Sequence, residues 1–489
     1  MGGRIRPWLT GLLVDVRTRR NAAVLRAALE ETDLKMGPIV LKFGGTSVED
    51  AGAMKRLRSI VADRLPRRPV VVVSALRGVT DALLQSVRLA SEGDPEGGMA
   101  QLEPQLQRHG EIAEELLDDE ERTAIADLVD GAHDEIRDLL RIVKAHPGTR
   151  LPLQDEIVSY GERLSSALTA AVLRADGVRG RMVDARRCVV TTDEHAQAVP
   201  IPARTRERAR AELLPVIEDA GVPVLGGFIA AAENGATTTL GRGGSDYSAA
   251  IFGAALDASE IQIWTDVTGF LTADPRVVSD ARPLARLSYT EAAELAFFGA
   301  KVLHPKTIQP AVETGIPVRI CNSRRPELPG TLIDAEAELS EGGVKAIAHK
   351  PGISLIQVTS TRMLGAYGFL RALFEVFEKH RTGVDIVTTS EVSVSLSVEE
   401  TRRLPAIVED LEQLGSVQVS HGNAIICVVG EGIGSIPGVA ARVFGTLADI
   451  NVVLISQGAS SINLTFVVSE REVGEAVTRL HATFFSNPR

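Results

Sequence analysis

Lys42-Phe43-Gly44-Gly45-Thr46-Ser47 sets a lysine at the end of a short apolar run, then two glycines and a Thr/Ser pair where a helix begins. Glycine N–H groups can approach an anion closely, the positive end of a helix over residues 50–65 attracts it, and the lysine adds a mobile point charge. The same turn also occurs as a plain α/β connection. A second segment, Leu240-Gly241-Arg242-Gly243-Gly244-Ser245-Asp246, places an arginine among three glycines ahead of an alanine-rich helix. A guanidinium there can offer its fork to a carboxylate or phosphate, while Asp246 either caps the helix or orients its neighbours. A third, from Trp264-Thr265-Asp266 through Leu271 to Asp274-Pro275-Arg276, leaves an apolar run for a loop, and Lys301 follows in Phe298-Gly299-Ala300-Lys301. The fourth, Ser159-Tyr160-Gly161-Glu162-Arg163, offers Glu162 to an ammonium group or to a helix cap. Loops of Gly with Lys or Arg plus one carboxylate suit a zwitterionic acceptor and a polyphosphate donor.

The elements that must position these residues follow from hydrophobic period. Strand-like runs at 39–42, 70–74, 182–184, 222–226, 261–265 and 318–321 alternate with helical patterns up to about residue 335. Such alternation predicts parallel strands joined by crossover helices, with ligands beyond the carboxyl ends of the strands. Residues 92–150 read as acidic helix, with Glu111, Glu114, Glu115 and Asp118 on a solvated face and Ile112, Leu116, Leu117, Ile125 and Leu128 facing inward. After residue 345 a repeat appears. Gly368-Phe369-Leu370, a helix through Phe374 and Phe377, and strands at 384–388 and 392–398 are echoed by Gly438-Val439-Ala440, a helix through Val443 and Phe444, and strands at 452–456 and 462–468. Each copy reads as β-α-β-β, a ferredoxin-like unit that packs beside a partner. The acidic segment 334–343 reads as a linker. The predicted division is therefore 1–36, 37–335, 345–415 and 420–489, with strands free to interleave between the last two.

Composition narrows the function classes. A chain of 489 residues, 44% hydrophobic, can bury several cores, and a net charge of -11 argues against nucleic acid as a partner. No apolar run approaches the roughly 20 residues that span a bilayer, so no membrane role is expected. Cys188, Cys321 and Cys427 are far apart and follow no disulfide or metal spacing, which fits a reducing cytoplasm. No His/Cys cluster has zinc spacing, so a metal is expected to arrive with a substrate. Residues 1–36 are Arg-rich and end at Met36, but Asp15, Glu30, Glu31 and Asp33 argue against a transit peptide. The expectation is a helical or disordered extension, or a translation start at Met36.

Read together and in order, the four segments resemble the aspartate kinase (aspartokinase) family across residues 38–485, and within it the monofunctional, lysine-sensitive type. The resemblance implies an α/β chain. An amino-acid kinase fold, a mostly parallel sheet sandwiched by helices, is followed by two ferredoxin-like βαββ ACT units that bind an end-product amino acid. It implies phosphorylation of the β-carboxylate of L-aspartate by ATP with Mg2+, giving 4-phospho-L-aspartate and ADP. That is the first step toward lysine, threonine and methionine and, in bacteria, diaminopimelate. A carboxylate acceptor is already ionised at neutral pH, so aligning two anions and offsetting their repulsion suffices, without a general base.

Carried over by the resemblance, Lys42 faces the transferring phosphoryl group and Gly44 and Gly45 cradle phosphate. Thr80 and Glu162 contact aspartate, Glu162 receiving its ammonium; Arg242 takes a substrate carboxylate, and Asp246 organises Lys42 and the loop. Thr265, Asp266, Arg276 and Lys301 surround ATP, together with Leu271, which stands where a tyrosine is common in the family. Met363, Phe369, Leu370, Asp385, Ser390 and Glu391 form an allosteric lysine pocket in which Asp385 receives an ammonium, although Gly365 and Ala366 replace polar residues frequent in lysine-sensitive members. The metal is carried by the nucleotide rather than by a protein site, and ACT units imply a homodimer or homotetramer. Two other readings compete. A sensor without turnover is opposed by the intact Lys42, Glu162, Arg242 and Asp246 set, and a glutamate or acetylglutamate kinase by the tandem ACT units and Glu162.

Overall fold

The computed structural model describes residues 37–486 apart from 301, 337–342, 366, 400 and 459. The 1–36 extension, most of the predicted linker, Lys301 and Ala366 thus lie outside the described residues. The chain divides into two units, one ending at Trp264 and the other running from Thr265.

The first unit contributes β1 (Ile39–Phe43), β2 (Pro69–Val73), β3 (Gly180–Met182), β4 (Val190–Thr191), β5 (Val222–Gly226), β6 (Ile229–Ala232), β7 (Thr237–Thr239) and β8 (Glu260–Thr265). Parallel pairing gives the order β3-β5-β2-β1-β8, with Lys42 opposite Val72 on one side and Ile263 on the other. Every residue of β1 and β2 is buried. Continuous burial is what a parallel sheet covered on both faces demands, and it is why the run Val70–Val73 shows no alternation. A small separate sheet, β4-β6-β7, has strands of two to four residues, too short to announce themselves by period. The 26-residue helix Arg150–Ala175 buries sixteen side chains and passes the strand ends. The acidic helices Pro95–Leu116 and Asp119–Ala145 are capped by Asp94 and Asp118 and expose their carboxylates as predicted. Leu128, expected to face inward, is half exposed.

The second unit contributes β9 (Arg286–Ser288), β10 (Val318–Asn322), β11 (Thr331–Asp334), β12 (Ala346–Thr359), β13 (Ile386–Thr389), β14 (Ser393–Glu399), β15 (Ser416–Val429), β16 (Leu454–Gln457) and β17 (Asn463–Ser469). The last six form one antiparallel sheet in the order β13-β14-β12-β15-β17-β16. β12 and β15 are 14 residues long, and each serves both halves of the repeat. Residues 353–359 of β12 pair with β14 and 355–359 with 416–420 of β15, whereas 346–350 pair with 425–429, the register shifting between Lys350 and Leu355. Each half is therefore six elements rather than the four read from sequence. The first adds the helix Leu404–Glu412 and the start of β15; the second adds the helix Val473–Phe485 and borrows the start of β12, which precedes the first half in the chain. The handover falls at His349-Lys350-Pro351-Gly352 in β12 and at Ser420-His421-Gly422-Asn423 in β15, polar stretches that interrupt the apolar pattern without ending either strand. Each half closes its own core, Ile356, Leu373, Leu396 and Ile407 in one, and Ile426, Val443, Phe466 and Val477 in the other. Among the described residues no helix is long and apolar enough to cross a membrane.

Candidate active site

Lys42 lies next to last in β1, so the strand delivers its ammonium to the carboxyl end of the sheet. The chain then turns at Gly44, whose N–H donates to the Trp264 carbonyl at 3.1 Å, and the Ser47 hydroxyl donates to the same oxygen at 3.3 Å. Trp264 in turn stacks on Phe43, with ring planes 14° apart. A Cβ on Gly45 would stand only 3.1 Å from the Ala75 carbonyl, so a side chain there would crowd the neighbouring strand end, whereas one on Gly44 would meet the Lys42 ammonium at 3.5 Å, an ordinary contact. Lys42 Nζ lies 2.7 Å from Asp246 Oδ1, and both side chains are largely buried. Asp246 sits in the first turn of the helix Gly244–Leu256, where the helix dipole favours a negative charge.

Gly241 and Gly243 both have φ of 74°, the left-handed region, so the loop can fold tightly enough for the Gly244 N–H to reach the Gly241 carbonyl at 3.0 Å. Arg242, between them, is exposed and has no polar partner among the described residues. Glu162, on the helix Arg150–Ala175, is 3% exposed; its Oε1 accepts from the Ala75 N–H at 3.2 Å, and its Oε2 has no partner. Burial pushes this carboxyl up to about 8, outweighing the Ala75 N–H and the Lys42 charge that pull it down. Glycines set the approach, since a Cβ on Gly161 would stand 2.9 Å from Ala75 Cβ and one on Gly226 2.8 Å from Glu162 Cβ.

Lys42, Thr80, Glu162, Arg242 and Asp246 line one pocket of about 550 Å³, together with Ser74, Asp81, Gln154, Phe228 and Thr239. None of these five was given a site role from the sequence. Phe228 has φ of 66° and donates its N–H to Ser248 Oγ at 2.9 Å, a strained turn that no local motif announces. Cations and an unpaired carboxyl around one cavity can bind a molecule carrying both signs of charge and hold a second anion against it.

The second unit holds a further pocket of about 430 Å³, lined by Leu271, Asp274, Pro275, Arg276, Gly299, Ala300, Val302 and His349 among others. Thr265 and Asp266 are not in its lining: Thr265 Oγ1 bonds to Asp266 Oδ1 at 3.2 Å, and Asn322 donates to the Asp266 carbonyl. The Arg276 guanidinium folds back on Asp274 at 2.6 Å, and that hydrogen bond holds the Asp274 carboxyl below its ordinary range.

The predicted allosteric residues fall in the first half of the repeat. Asp385 already holds an ammonium, that of Lys350 at 2.9 Å, and Lys350 also reaches Glu399 at 2.8 Å and lies 4.9 Å from the Phe297 ring centre. Burial still keeps the Asp385 carboxyl above its usual range. Met363 and Phe369 pack on the half's core, Leu370 is 41% exposed, and Ser390 and Glu391 are exposed, Ser390 Oγ bonding to Ser393 Oγ.

A model of the amino acid kinase family matches residues 37–322, and an ACT domain model matches residues 426–484. Over 460 residues the chain is 37% identical to the lysine-sensitive aspartokinase 3 of Escherichia coli K12, covering 91% of this chain and 99% of that one. The crystal structure of E. coli aspartokinase III with aspartate and ADP, an R-state, is 36% identical, covers 92% of this chain and 100% of its own, and has a TM-score of 0.77. The structure with lysine and aspartate, a T-state, has the same coverage, 37% identity and a TM-score of 0.78.

The buried Glu162 carboxyl makes a prediction that needs no ligand. Its pKa rises from 4.5 to about 8 on folding, so the folded state holds the proton more tightly; the neutral form's stability is fully present below about pH 4.5 and is lost as pH climbs through 8. Glu162→Gln, which cannot ionise, should match the parent near pH 5 and exceed its first unfolding midpoint by roughly 5 °C at pH 9, read by differential scanning fluorimetry. Equal midpoints at both pH values would contradict the burial argument.

Proposed function

Because the chain belongs to the amino-acid kinase family, and within it to the aspartokinases, it phosphorylates L-aspartate on the β-carboxylate, and we propose that the pocket around Lys42 is where aspartate binds and reacts. Glu162 receives the α-ammonium through Oε2, Arg242 takes a carboxylate, and Thr80 adds a hydroxyl. Lys42 stands between the acceptor carboxylate and the incoming phosphoryl group, and Asp246 fixes the ammonium. The observation that carries this reading is the unequal satisfaction of the charges: Lys42 is paired with Asp246, while among the described residues Glu162 Oε2 and the Arg242 guanidinium stand without partners at the same pocket. A substrate ammonium beside Glu162 favours the carboxylate, so aspartate binding below pH 8 expels a proton. The acceptor oxygen is already charged, and the rate comes from alignment and from cations set where charge accumulates.

On the same reading Gly44 and Gly45 turn their backbone toward phosphate, and Thr265, Asp266, Leu271, Arg276 and Lys301 serve the nucleotide, Leu271 as an apolar wall. Mg2+ enters on the ATP phosphates and partly neutralises them. Among the described residues no group of three or more His, Cys, Asp or Glu side chains is arranged to hold a metal. We assign residues 37–335 to catalysis and 345–415 and 420–489 to the two ACT domains, which share β12 and β15. The exposed Leu364, Leu370, Phe374 and Val392 of the first ACT domain suit self-association into a homodimer or homotetramer. The site of action is the cytoplasm.

The effector reading is lysine. Asp385 and Val453 occupy equivalent places, each just before a strand and each donating its N–H across to the next one, to Ser397 and Val467 at 2.9 and 2.8 Å. Only the first ACT domain therefore has a carboxylate there for an ammonium. Lys350 occupies it, so an incoming lysine competes with an internal ammonium. The lysine sensitivity of the similar E. coli aspartokinase 3, and the lysine held by E. coli aspartokinase III in its T-state, support this reading.

Two measurements check it. ATP with Mg2+ and L-aspartate should give acyl phosphate, trapped as the hydroxamate, while L-glutamate and N-acetylglutamate give none; Lys42→Met should cost about 10³-fold in kcat or more. A folded protein that binds an amino acid without turnover would favour the sensor reading instead. Lys350→Met should lower the lysine concentration for half-inhibition by roughly 3- to 10-fold, about 1 kcal/mol of lost competition. An unchanged or raised concentration would remove Lys350 from the effector site.

A further inference from the structure

Asp155 lies two helical turns before Glu162 on the helix Arg150–Ala175, so both carboxylates face the same side, but their surroundings are opposite. Asp155 is wholly buried, yet both of its oxygens are in use. Oδ1 accepts from Thr239 Oγ1 at 2.6 Å, the Ala196 N–H lies 3.2 Å from Oδ1 and 3.0 Å from Oδ2, and Oδ2 meets His195 Nδ1 at 2.8 Å. These donors come from two different loops. Thr239 ends β7 and leads directly into Leu240-Gly241-Arg242, while His195 and Ala196 belong to the segment between β4 and the helix Pro202–Glu218.

The two loops are also tied to each other. The Ala198 N–H donates to the Thr239 carbonyl at 2.9 Å, and the Ala196 carbonyl lies 3.2 Å from where a Cβ on Gly241 would stand. Ala196 itself has φ of 69°, a left-handed conformation that costs an L-residue about 1–2 kcal/mol and persists only when something holds it. The Asp155 carboxylate, accepting its N–H, is that hold. Ala196, Thr239, Gly241 and Arg242 all line the pocket that Glu162 faces.

We propose that Asp155 is a positioning residue that fixes the Arg242 loop at a set distance from Glu162, and so gauges the length of the amino-acid substrate between its ammonium and its carboxylate. This rests on the reading of the pocket as the aspartate site. A carboxylate suits the task because it offers acceptors on both oxygens, and its charge strengthens each bond. Asparagine in its place removes the charge and turns one oxygen into an amide donor, so the bonds to both loops weaken and either the Thr239 hydroxyl must turn round to accept or the Ala196 N–H faces a donor.

The test compares Asp155→Asn, Thr239→Val and Thr239→Ser with the parent, measuring kcat and KM for aspartate, KM for ATP, and the ratio of kcat/KM for aspartate over glutamate. The expected result is a KM for aspartate raised about 10- to 100-fold in Asp155→Asn, with KM for ATP within about 3-fold and discrimination against glutamate reduced. Thr239→Val shifts the same way by less, and Thr239→Ser, which keeps the donor, returns toward the parent. If Asp155→Asn does not fold, the Thr239 pair decides the matter alone. Losses in kcat with every KM unchanged, or a Thr239→Ser no better than Thr239→Val, overturn the proposal. Parent turnover of a different amino acid refutes the aspartate reading only, and the same KM split is then read with that substrate.

Discussion

A lysine ammonium held nine-tenths buried at the end of a fully buried parallel strand is the constraint around which the first unit is organised. Removing that charge from water costs several kcal/mol, and attraction to Asp246 at 2.7 Å offsets the cost only if both groups are held still. The helix Gly244–Leu256 supplies the stillness, presenting Asp246 from its first turn. The glycines of the neighbouring loops supply the room, since side chains at Gly45 or Gly227 would press on the Ala75 carbonyl or Ser245. The pair is thus better understood as a device for placing a charge than as a source of stability.

The helix Arg150–Ala175 carries the complementary design. Its two inward carboxylates differ in that Asp155 is saturated by three donors, while Glu162 keeps one oxygen unpartnered. Leaving a buried carboxyl half satisfied is expensive, and burial meets the cost by favouring the protonated form.

The regulatory half shows how duplication leaves room for divergence. Both halves share strand pairing and helix packing, because their cores ask only for apolar residues of suitable volume. At the equivalent positions before β13 and β16, however, one carries Asp385 and the other Val453, so one keeps a place for an ammonium and the other does not. β12 and β15 run through both halves, so neither half can close its sheet without the other.

The sequence by itself determined the main parallel strands, the acidic helices, the glycine loops and the repeat, because buried parallel strands, capped acidic helices and Gly-Lys or Gly-Arg turns are written in contiguous residues. Lys42, Glu162, Arg242 and Asp246 were legible for that reason. Asp155 was half legible: its spacing from Glu162 on one helix face was there to be read, but not its partners, which come from residues 40 to 84 positions away. The tertiary structure alone decided which charges are satisfied: that Asp246 takes Lys42, that Arg276 turns back on Asp274, and that Asp385 holds Lys350. It also decided that the six strands of the repeat interleave. Pairing is a matter of distance in space and of competition among partners for one buried charge, and neither quantity is carried by the local residue pattern.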